Sequence, residues 1–237
     1  GTRIRAAKNR LEELERTALP EPPKPLTFVA SNTDSVTLTR ASTPSISLFD
    51  VAVEDRMPEV ALDVFDRDHV LIQGVNGAGK STLLGVIAGT VAFTEGFLTI
   101  EEGLTVGYLA QDSRWHDMGL SAAETFSAAV PAGSPTLVDM GLLTEEKSRL
   151  PMRALSLGQR RRVAIGITLA SPPDILLLDE PTNHISLTLA EDLEQAIADF
   201  PGIVIVASHD RWLRDRWQGR RFVMSHEDGL VEVKNHS

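Results

Sequence analysis

The residues best suited to chemistry form a glycine-rich stretch, Gly74–Thr82, with the sequence GVNGAGKST. It fits the pattern of glycine, four residues and Gly-Lys-Ser/Thr, and it follows an apolar run at residues 69–73. Backbone N–H groups can wrap polyphosphate oxygens only where the chain adopts dihedrals that Gly74, Gly77 and Gly79 permit. The stretch therefore predicts a strand, a phosphate-binding loop and a helix whose positive end faces the anion.

Two side chains at the end of this loop supply charge and a metal ligand. Lys80 would place its ammonium on the β and γ phosphates, and the Ser81 hydroxyl would ligate Mg²⁺ beside them. A nucleotide with bound Mg²⁺ is therefore the expected ligand. The loop residues assigned to nucleotide binding are Gly74, Asn76, Gly77, Gly79, Lys80, Ser81 and Thr82.

Two further apolar runs end in polar side chains. Residues 175–178 lead into Asp179 and Glu180, and residues 203–207 lead into Ser208, His209 and Asp210. Because open α/β sheets bind ligands at the carboxyl ends of their strands, we expect these groups to converge on the phosphate loop. Asp179 would hold the Mg²⁺ shell, Glu180 would orient or deprotonate the attacking water, and His209 would hydrogen-bond the γ phosphate. The alternatives are a solvated strand end for the acidic pair and an ordinary loop position for the histidine.

Composition limits the class of protein. The chain has 237 residues, 42% of them hydrophobic and 24% charged, and this content is ordinary for a soluble globular protein. No apolar run reaches the roughly 18–20 residues that cross a bilayer. The formal net charge of −10 argues against a basic surface over the whole chain, and the absence of cysteine fits a reducing cytoplasm.

The beginning of the chain differs in character from the rest. Residues 3–19 have helical apolar spacing with many charges, and four prolines between residues 20 and 25 make a stiff connector, so we place a boundary there. Residues 26–29, 36–39 and 46–53 read as strands of an antiparallel edge sheet.

The remainder alternates strands with helices, which indicates an α/β sheet with crossover helices. Residues 112–154 interrupt this pattern as a helical insertion, with short helices predicted at 121–130 and 135–143. Helices are also predicted at 157–170 and 186–200.

Five motifs in this order resemble an ABC-type ATPase domain. Gly74–Thr82 looks like the Walker A motif, and Gln111 looks like the glutamine of the Q-loop. Leu155–Gln159 looks like the signature motif and Ile175–Glu180 like the Walker B motif. His209 looks like the switch histidine. The resemblance covers residues 26–225. It implies a P-loop NTPase fold: an ABC-type nucleotide-binding domain with an antiparallel β subdomain and a helical signature subdomain at about 112–160.

The resemblance also assigns site residues. It implies catalytic roles for Glu180, His209 and Gln111, and Mg²⁺ ligation by Ser81, Gln111 and Asp179. Ser156, Gly158 and Gln159 of the signature would contact nucleotide held by a facing cassette. One chain would then hold two half-sites, so it would bind ATP·Mg²⁺ and hydrolyse it weakly alone.

The Asn183-His184 pair narrows the resemblance to the ABC-F class, and to its antibiotic-resistance members in particular. Residues 1–25 then look like the end of an inter-cassette linker, and residues 26–237 like the second ABC cassette. Implied partners are a second cassette in the same polypeptide or a second copy, together with the ribosome, its rRNA and tRNA. The implied location is cytoplasmic, without membrane insertion.

Two other readings compete with this one. An ATPase subunit of a drug exporter or importer would need a groove near Gln111 for a membrane subunit. A DNA-repair ATPase of the SMC kind would need a long coiled coil, whereas only residues 112–154 separate Gln111 from the signature.

The chain departs from the family pattern at three places. Leu157 replaces the usual glycine of the signature, and Ile185-Ser186 replaces the usual Leu-Asp. No aromatic residue stands between Val51 and Pro58 to stack on adenine, so Arg56 is the candidate for that role. The two arginine clusters, 160–162 and 211–221, are read as exposed helix charges with rRNA contact as the alternative, and the three tryptophans are assigned to packing or the surface.

Overall fold

A computed structural model of the chain describes residue 26 and residues 43–111 and 115–233. These residues form two sheets and six α-helices, with one 3-10 turn at Met152–Ala154. In chain order the elements are β1 (Ile46–Val53), β2 (Met57–Val64), β3 (His69–Gln73), α1 (Lys80–Ile87), β4 (Glu95–Ile100), β5 (Val106–Leu109), α2 (Ala122–Ala129), α3 (Glu145–Ser148), α4 (Leu157–Ala170), β6 (Ile175–Asp179), α5 (Leu187–Ala198), β7 (Ile203–Ala207), α6 (Arg211–Arg216), β8 (Arg220–Ser225) and β9 (Gly229–Val233).

The larger sheet positions the site. Its strand order is β5-β6-β7-β3-β8-β9, and every neighbouring pair is parallel except β8 with β9. The helical connections between its strands allow this parallel pairing. β3, β6 and β7 therefore end at the same edge, as the sequence predicts.

The apolar runs are buried on both faces of this sheet. Every residue of β6 and β7 is buried, and alternate residues enter two different cores: Leu176 and Leu178 one, Ile175 and Leu177 the other. The first core packs under the helical region between β5 and α4, and the second under the smaller sheet and α1. A continuous apolar run is what two covered faces require.

The smaller sheet is antiparallel, with strand order β2-β1-β4. β2 alternates buried with exposed side chains, so one face packs on the core and the other faces solvent. The strand predicted at 46–53 is confirmed. The helix predicted at 3–19, the strand predicted at 36–39 and residues 27–29 of the strand predicted at 26–29 lie outside the described residues. Leu26, the first residue of that predicted strand, is buried without belonging to a strand.

The helical region agrees with the sequence at one helix and differs at another. The helix predicted at 121–130 is confirmed as α2, which Ser121 caps through a reciprocal pair of hydrogen bonds with Glu124. The helix predicted at 135–143 is wrong: the chain makes a single turn there. Gly141 adopts φ 68°, and the N–H of Leu142 turns back to the carbonyl of Leu137 at 2.9 Å, which ends the turn.

Over the ranges that the structure describes, every helix is too short or too polar to cross a membrane.

Candidate functional site

The phosphate loop leaves β3 and enters α1 through three glycines in unusual conformations. Gly74, Gly77 and Gly79 have φ of 146°, 86° and 105°. A Cβ at Gly74 would lie 2.3 Å from the carbonyl oxygen of Met224, so the loop packs too closely there for any side chain. Gly77 has open space around it, and its positive φ alone favours glycine.

Lys80 lies at the start of α1 and points back across the loop. Its Nζ donates to the carbonyl oxygens of Gly74 at 2.8 Å and Val75 at 3.1 Å. Burial lowers the pKa of Lys80, whereas the carboxylates of Glu180 and Asp179 raise it. The ammonium therefore sits inside the loop, between its backbone and the two acids.

Asp179 ends β6 beneath the loop, where its side chain is buried. The hydroxyls of Ser81 and Tyr108 lie beside its carboxylate, and its Oδ1 is buried without a hydrogen-bond partner among the described residues. Burial raises the pKa of Asp179, and the neighbouring Ser81 hydroxyl opposes that shift. A buried carboxylate oxygen beside a serine hydroxyl is a donor set that suits Mg²⁺.

Glu180 follows on the strand end and is held from two sides. Its Oε1 lies 2.7 Å from Nδ1 of His209, and its Oε2 accepts from the Ser208 hydroxyl at 3.2 Å. The backbone of Glu180 adopts φ 46°, which is uncommon for a residue other than glycine. This conformation turns the chain away from the sheet directly after Asp179.

The loop and the strand ends surround one cleft of about 590 Å³. It brings together nine of the residues assigned from the sequence: Asn76, Gly77, Gly79, Lys80, Ser81, Thr82, Gln111, Glu180 and His209. Asp55, Arg56 and Asn183 also line it, so Arg56 faces the cleft in which the nucleotide is expected. Gly74 and Asp179 lie behind this lining, in contact with Lys80 and Ser81.

The signature residues stand apart from this cleft. Ser156 caps α4: its hydroxyl oxygen accepts a hydrogen bond from the backbone N–H of Gln159 at 3.2 Å. In turn, the side-chain oxygen of Gln159 accepts from the backbone N–H of Ser156. A Cβ at Gly158 would lie 2.6 Å from the carbonyl oxygen of His184, so the helix start packs on the loop that follows Glu180. Ser156, Gly158 and Gln159 are absent from the residues that line the cleft.

These residues fit a magnesium nucleotide. The loop offers glycine backbone and a buried ammonium, and Asp179 offers an oxygen that nothing in the described chain satisfies. The described residues contain no group of three His, Cys, Asp or Glu side chains that could hold a metal alone. Mg²⁺ typically takes one or two protein ligands and completes its shell with phosphate and water, so the sparse set is adequate.

Sequence reasoning missed two side chains around the site, Tyr108 and Arg161. Tyr108 lies beside Asp179, and burial raises the pKa of Tyr108 to about 12. Ser208, which the sequence places at this strand end, donates to Glu180. Arg161 was grouped with exposed charges, but it is buried and donates to backbone carbonyls at two strand ends. Its spacing of three and four residues from the buried Ala164 and Ile165 was the available signal.

Two other surface assignments are settled by the structure. Arg220 was also read as an exposed charge, but it forms ion pairs with Asp68 at 3.0 Å and Glu232 at 2.9 Å. Trp217 is a packing residue, as expected: it is buried in the core beside Leu213, and its indole donates to the carbonyl of Arg220.

Comparisons with known proteins agree with this geometry. A family model described as ABC transporter matches residues 57–183, which is more than half of the chain. The chain is 34% identical over 236 residues to the tylosin resistance ATP-binding protein TlrC of Streptomyces fradiae, covering 97% of this chain and 42% of TlrC. It is 32% identical over 179 residues to the ATP-binding protein Uup of Caulobacter vibrioides, covering 70% of this chain and 29% of Uup.

A solved structure supports the fold. An ATP-binding cassette in a dimeric post-hydrolysis state, bound to ADP and Pi, superposes with a TM-score of 0.66 at 22% identity. It covers 81% of this chain and 99% of that one. The expected fold class, an ABC-type nucleotide-binding domain with an antiparallel β subdomain, is therefore confirmed. The chain spans less than half the length of the curated relatives described above.

Proposed function

The chain belongs to the ABC family of ATPases, in its ABC-F group, and from that premise we propose that it is one cassette of a ribosome-associated ATPase. In this proposal ATP·Mg²⁺ closes the cassette against a second one, and hydrolysis releases the pair. The whole protein would confer antibiotic resistance by protecting the ribosome, in the cytoplasm.

The site residues have separate roles in nucleotide binding. The N–H groups of Asn76 to Thr82 and the Lys80 ammonium would hold the β and γ phosphates at the positive end of α1. Mg²⁺, when bound, would neutralise charge that develops on the phosphates. Ser81, Asp179 and Gln111 would hold it, which is consistent with the contact between Ser81 and Asp179.

Glu180 is the proposed residue for the hydrolytic step. Its carboxylate would accept a hydrogen bond from water and align the water oxygen with the γ phosphorus. As the bond from water to phosphorus forms, the bond from phosphorus to the β-phosphate oxygen breaks, and the water proton passes toward Glu180. His209, at 2.7 Å from Glu180, would fix that carboxylate and reach the γ phosphate.

The observation that carries the two-cassette proposal is the separation between the cleft and the signature. The cleft is lined by phosphate loop, Gln111, Glu180 and His209, whereas Ser156 caps a helix outside it. From there Ser156 would serve the nucleotide of a facing cassette rather than that of its own chain. A second cassette, from the same polypeptide or a second copy, would supply the missing half.

Resemblance to TlrC supports the resistance role. That protein is named for tylosin resistance, and the similarity extends over 97% of this chain. The ribosome, rRNA and tRNA remain proposed partners. Residues 1–25, proposed as the end of a linker, would connect the cassettes.

A mixing experiment tests the two-cassette proposal. Lys80→Ala would disable the phosphate loop of one copy, and Ser156→Arg would block the signature of another; each variant alone should hydrolyse ATP poorly. Mixed in equal amounts, half of the dimers would contain one intact composite site out of two, so the mixture should reach about a quarter of the activity of the unchanged chain. A mixture as inactive as its components would contradict the proposal.

A second experiment tests the ribosome role. The protein and its Glu180→Gln variant are expressed in a tylosin-sensitive host, and growth inhibition and co-sedimentation with ribosomes are measured. The variant should remain on ribosomes with ATP but not with ADP, and only the unchanged protein should raise the tolerated tylosin concentration. Resistance that accompanies drug efflux, without ribosome binding, would favour a transporter subunit instead.

A further inference from the structure

We propose that Arg161 is a positioning residue that connects the signature helix to the backbone carrying Gln111 and Glu180. This inference rests on the proposed function, since it concerns how the two half-sites of one chain are joined. Arg161 lies in the first turns of α4 and is 6% exposed, the most buried of the three consecutive arginines there.

Its guanidinium bridges the ends of two neighbouring strands. Nη1 donates to the carbonyl oxygen of Ala110, directly after β5, and lies 3.5 Å from that of Gln111. Nη2 donates to the carbonyl oxygen of Asp179 at 2.8 Å and to that of Glu180 at 3.1 Å. One side chain therefore contacts the backbone of the Q-loop and of both Walker B acids.

The chemistry of the group suits this task. Guanidinium is planar, always charged and has five N–H donors in a fixed fork, so its two ends can each bind a different pair of carbonyls. A lysine ammonium is a point charge that cannot span both strand ends with the same geometry. The Arg161 charge also stabilises the ionised form of Asp179, which lowers its pKa against the effect of burial.

These contacts matter because Glu180 has an uncommon backbone conformation. At φ 46° it relies on its surroundings to hold the turn that presents its carboxylate. The carbonyl oxygen of Glu180 accepts from Arg161 and also from the N–H of Asn183, at 3.2 Å. Removal of the guanidinium would free this turn and the Gln111 backbone together.

The other two arginines of the run make different contacts. Arg160 donates to the carbonyl oxygen of Leu155 at 3.1 Å, within its own segment. Arg162 donates to that of Leu142 at 3.4 Å, in the helical region. Neither contact involves the residues that line the cleft, so Arg162 provides a matched control on the same helix.

Through Arg161, a movement of the signature helix α4 would reach the residues of the chain's own cleft. Ser156 begins α4 five residues before Arg161, and in the proposed pair Ser156 faces the nucleotide of the second cassette. A shift of α4 would therefore reach the chain's own Glu180 and Gln111 through Arg161. The residue would make hydrolysis in one composite site sensitive to the state of the other.

The test compares Arg161→Gln and Arg161→Lys with Arg162→Gln in the homodimer at a concentration where the unchanged chain hydrolyses ATP. Arg161→Gln should lower kcat by about 10- to 100-fold, because small misplacements of catalytic groups cost this much. The dissociation constant of a fluorescent ATP analogue should stay within about 3-fold, because the phosphate loop is untouched. The lysine variant should lie between the two, and the control should match the unchanged chain.

Hydrogen exchange gives a readout that does not depend on hydrolysis. In Arg161→Gln the backbone N–H of Asn183 should exchange faster, while amides of β3 keep their protection. An unaltered kcat in Arg161→Gln would overturn the proposal. So would a loss of ATP affinity in Arg161→Gln as large as its loss of kcat, or a loss of kcat in Arg162→Gln as large as that in Arg161→Gln. If the glutamine variant does not fold, the same criteria apply to Arg161→Lys. If the unchanged chain binds no ATP, the proposed function has failed rather than this inference.

Discussion

Oε1 of Glu180 lies 2.7 Å from Nδ1 of His209, which joins the ends of two neighbouring strands through a single polar contact. Glu180 is 8% exposed at its side chain and His209 57%, so one partner is fixed in the sheet and the other faces the cleft. In the proposed mechanism the histidine would therefore contact the γ phosphate while it holds the carboxylate.

His209→Ala is expected to lower ATP hydrolysis by about 10²-fold, the lower end of what a positioned acid–base group contributes. Nucleotide affinity should change little, because the phosphate loop supplies most of the contacts. Steady-state kinetics and titration with a fluorescent ATP analogue measure the two quantities. The control is His226→Ala, an exposed position in the turn after β8. Unchanged hydrolysis in the His209 variant would remove the residue from the mechanism.

Arg56→Ala is expected to weaken ATP binding by about 2- to 30-fold, the range of a guanidinium stacked on an aromatic ring. Arg56 lines the cleft, and no aromatic side chain is among the lining residues. Arg149→Ala is a suitable control, since that side chain is exposed and pairs with Glu145 on the helical region. An Arg56 variant with unchanged ATP affinity would rule out the stacking role.

Glu194→Gln is expected to stabilise the chain at pH 8 and to have little effect at pH 5. Burial raises the pKa of Glu194 to about 7; Arg216 lowers it, and Asp210 and Glu191 raise it further. Because the folded chain binds this proton more tightly than the unfolded chain, stability is lost as pH rises from the ordinary carboxyl value through 7. Glutamine cannot ionise, so it avoids that loss.

Thermal unfolding at the two pH values measures this effect. Glu227→Gln is the control, at an exposed position in the turn after β8. Each kcal/mol of change in the free energy of unfolding should shift the melting temperature by about 2–4 °C for a chain of this size. An equal shift at pH 5 and pH 8 would show that ionisation of Glu194 is not the cause.

Arg220→Gln is expected to lower the free energy of unfolding by about 1–3 kcal/mol, the usual cost of removing charged hydrogen bonds from a partly buried site. Arg220 holds Asp68 and Glu232, donates to the carbonyl of Asp63 at 2.7 Å and lies 5.0 Å above the Phe222 ring. Urea unfolding measures the loss, and rRNA binding should not change.

The matched control for that variant is Arg214→Gln, whose side chain is more exposed and pairs only locally with Asp215. A stable Arg220 variant that no longer binds rRNA would reverse the structural interpretation and restore a nucleic-acid role for this cluster.

Local pattern was sufficient to predict the centre of the fold. The runs at 175–178 and 203–207 are apolar at every position, and only a strand covered on both faces needs such a run. Because both end in polar residues, and parallel strands share an edge, the convergence of Glu180 and His209 on the phosphate loop followed from the sequence.

Arg161 could not be predicted as a contact in the same way. Its acceptors are backbone carbonyls 18 and about 50 residues away, and a carbonyl leaves no mark in the sequence. The helix predicted at 135–143 failed for a related reason. Its composition suits a helix, but Gly141 ends the turn in a left-handed conformation that periodicity does not show.

The position of Leu157 has a consequence for how two paired cassettes can evolve. It is 48% exposed at the start of α4, outside the cleft of its own chain. In the proposed assembly a substitution there would leave the altered cassette's own nucleotide unaffected and change the kinetics of its neighbour's. Two fused cassettes could then evolve one fast and one slow ATPase site. The substitution that alters each site would lie in the signature of the cassette that does not bind that nucleotide.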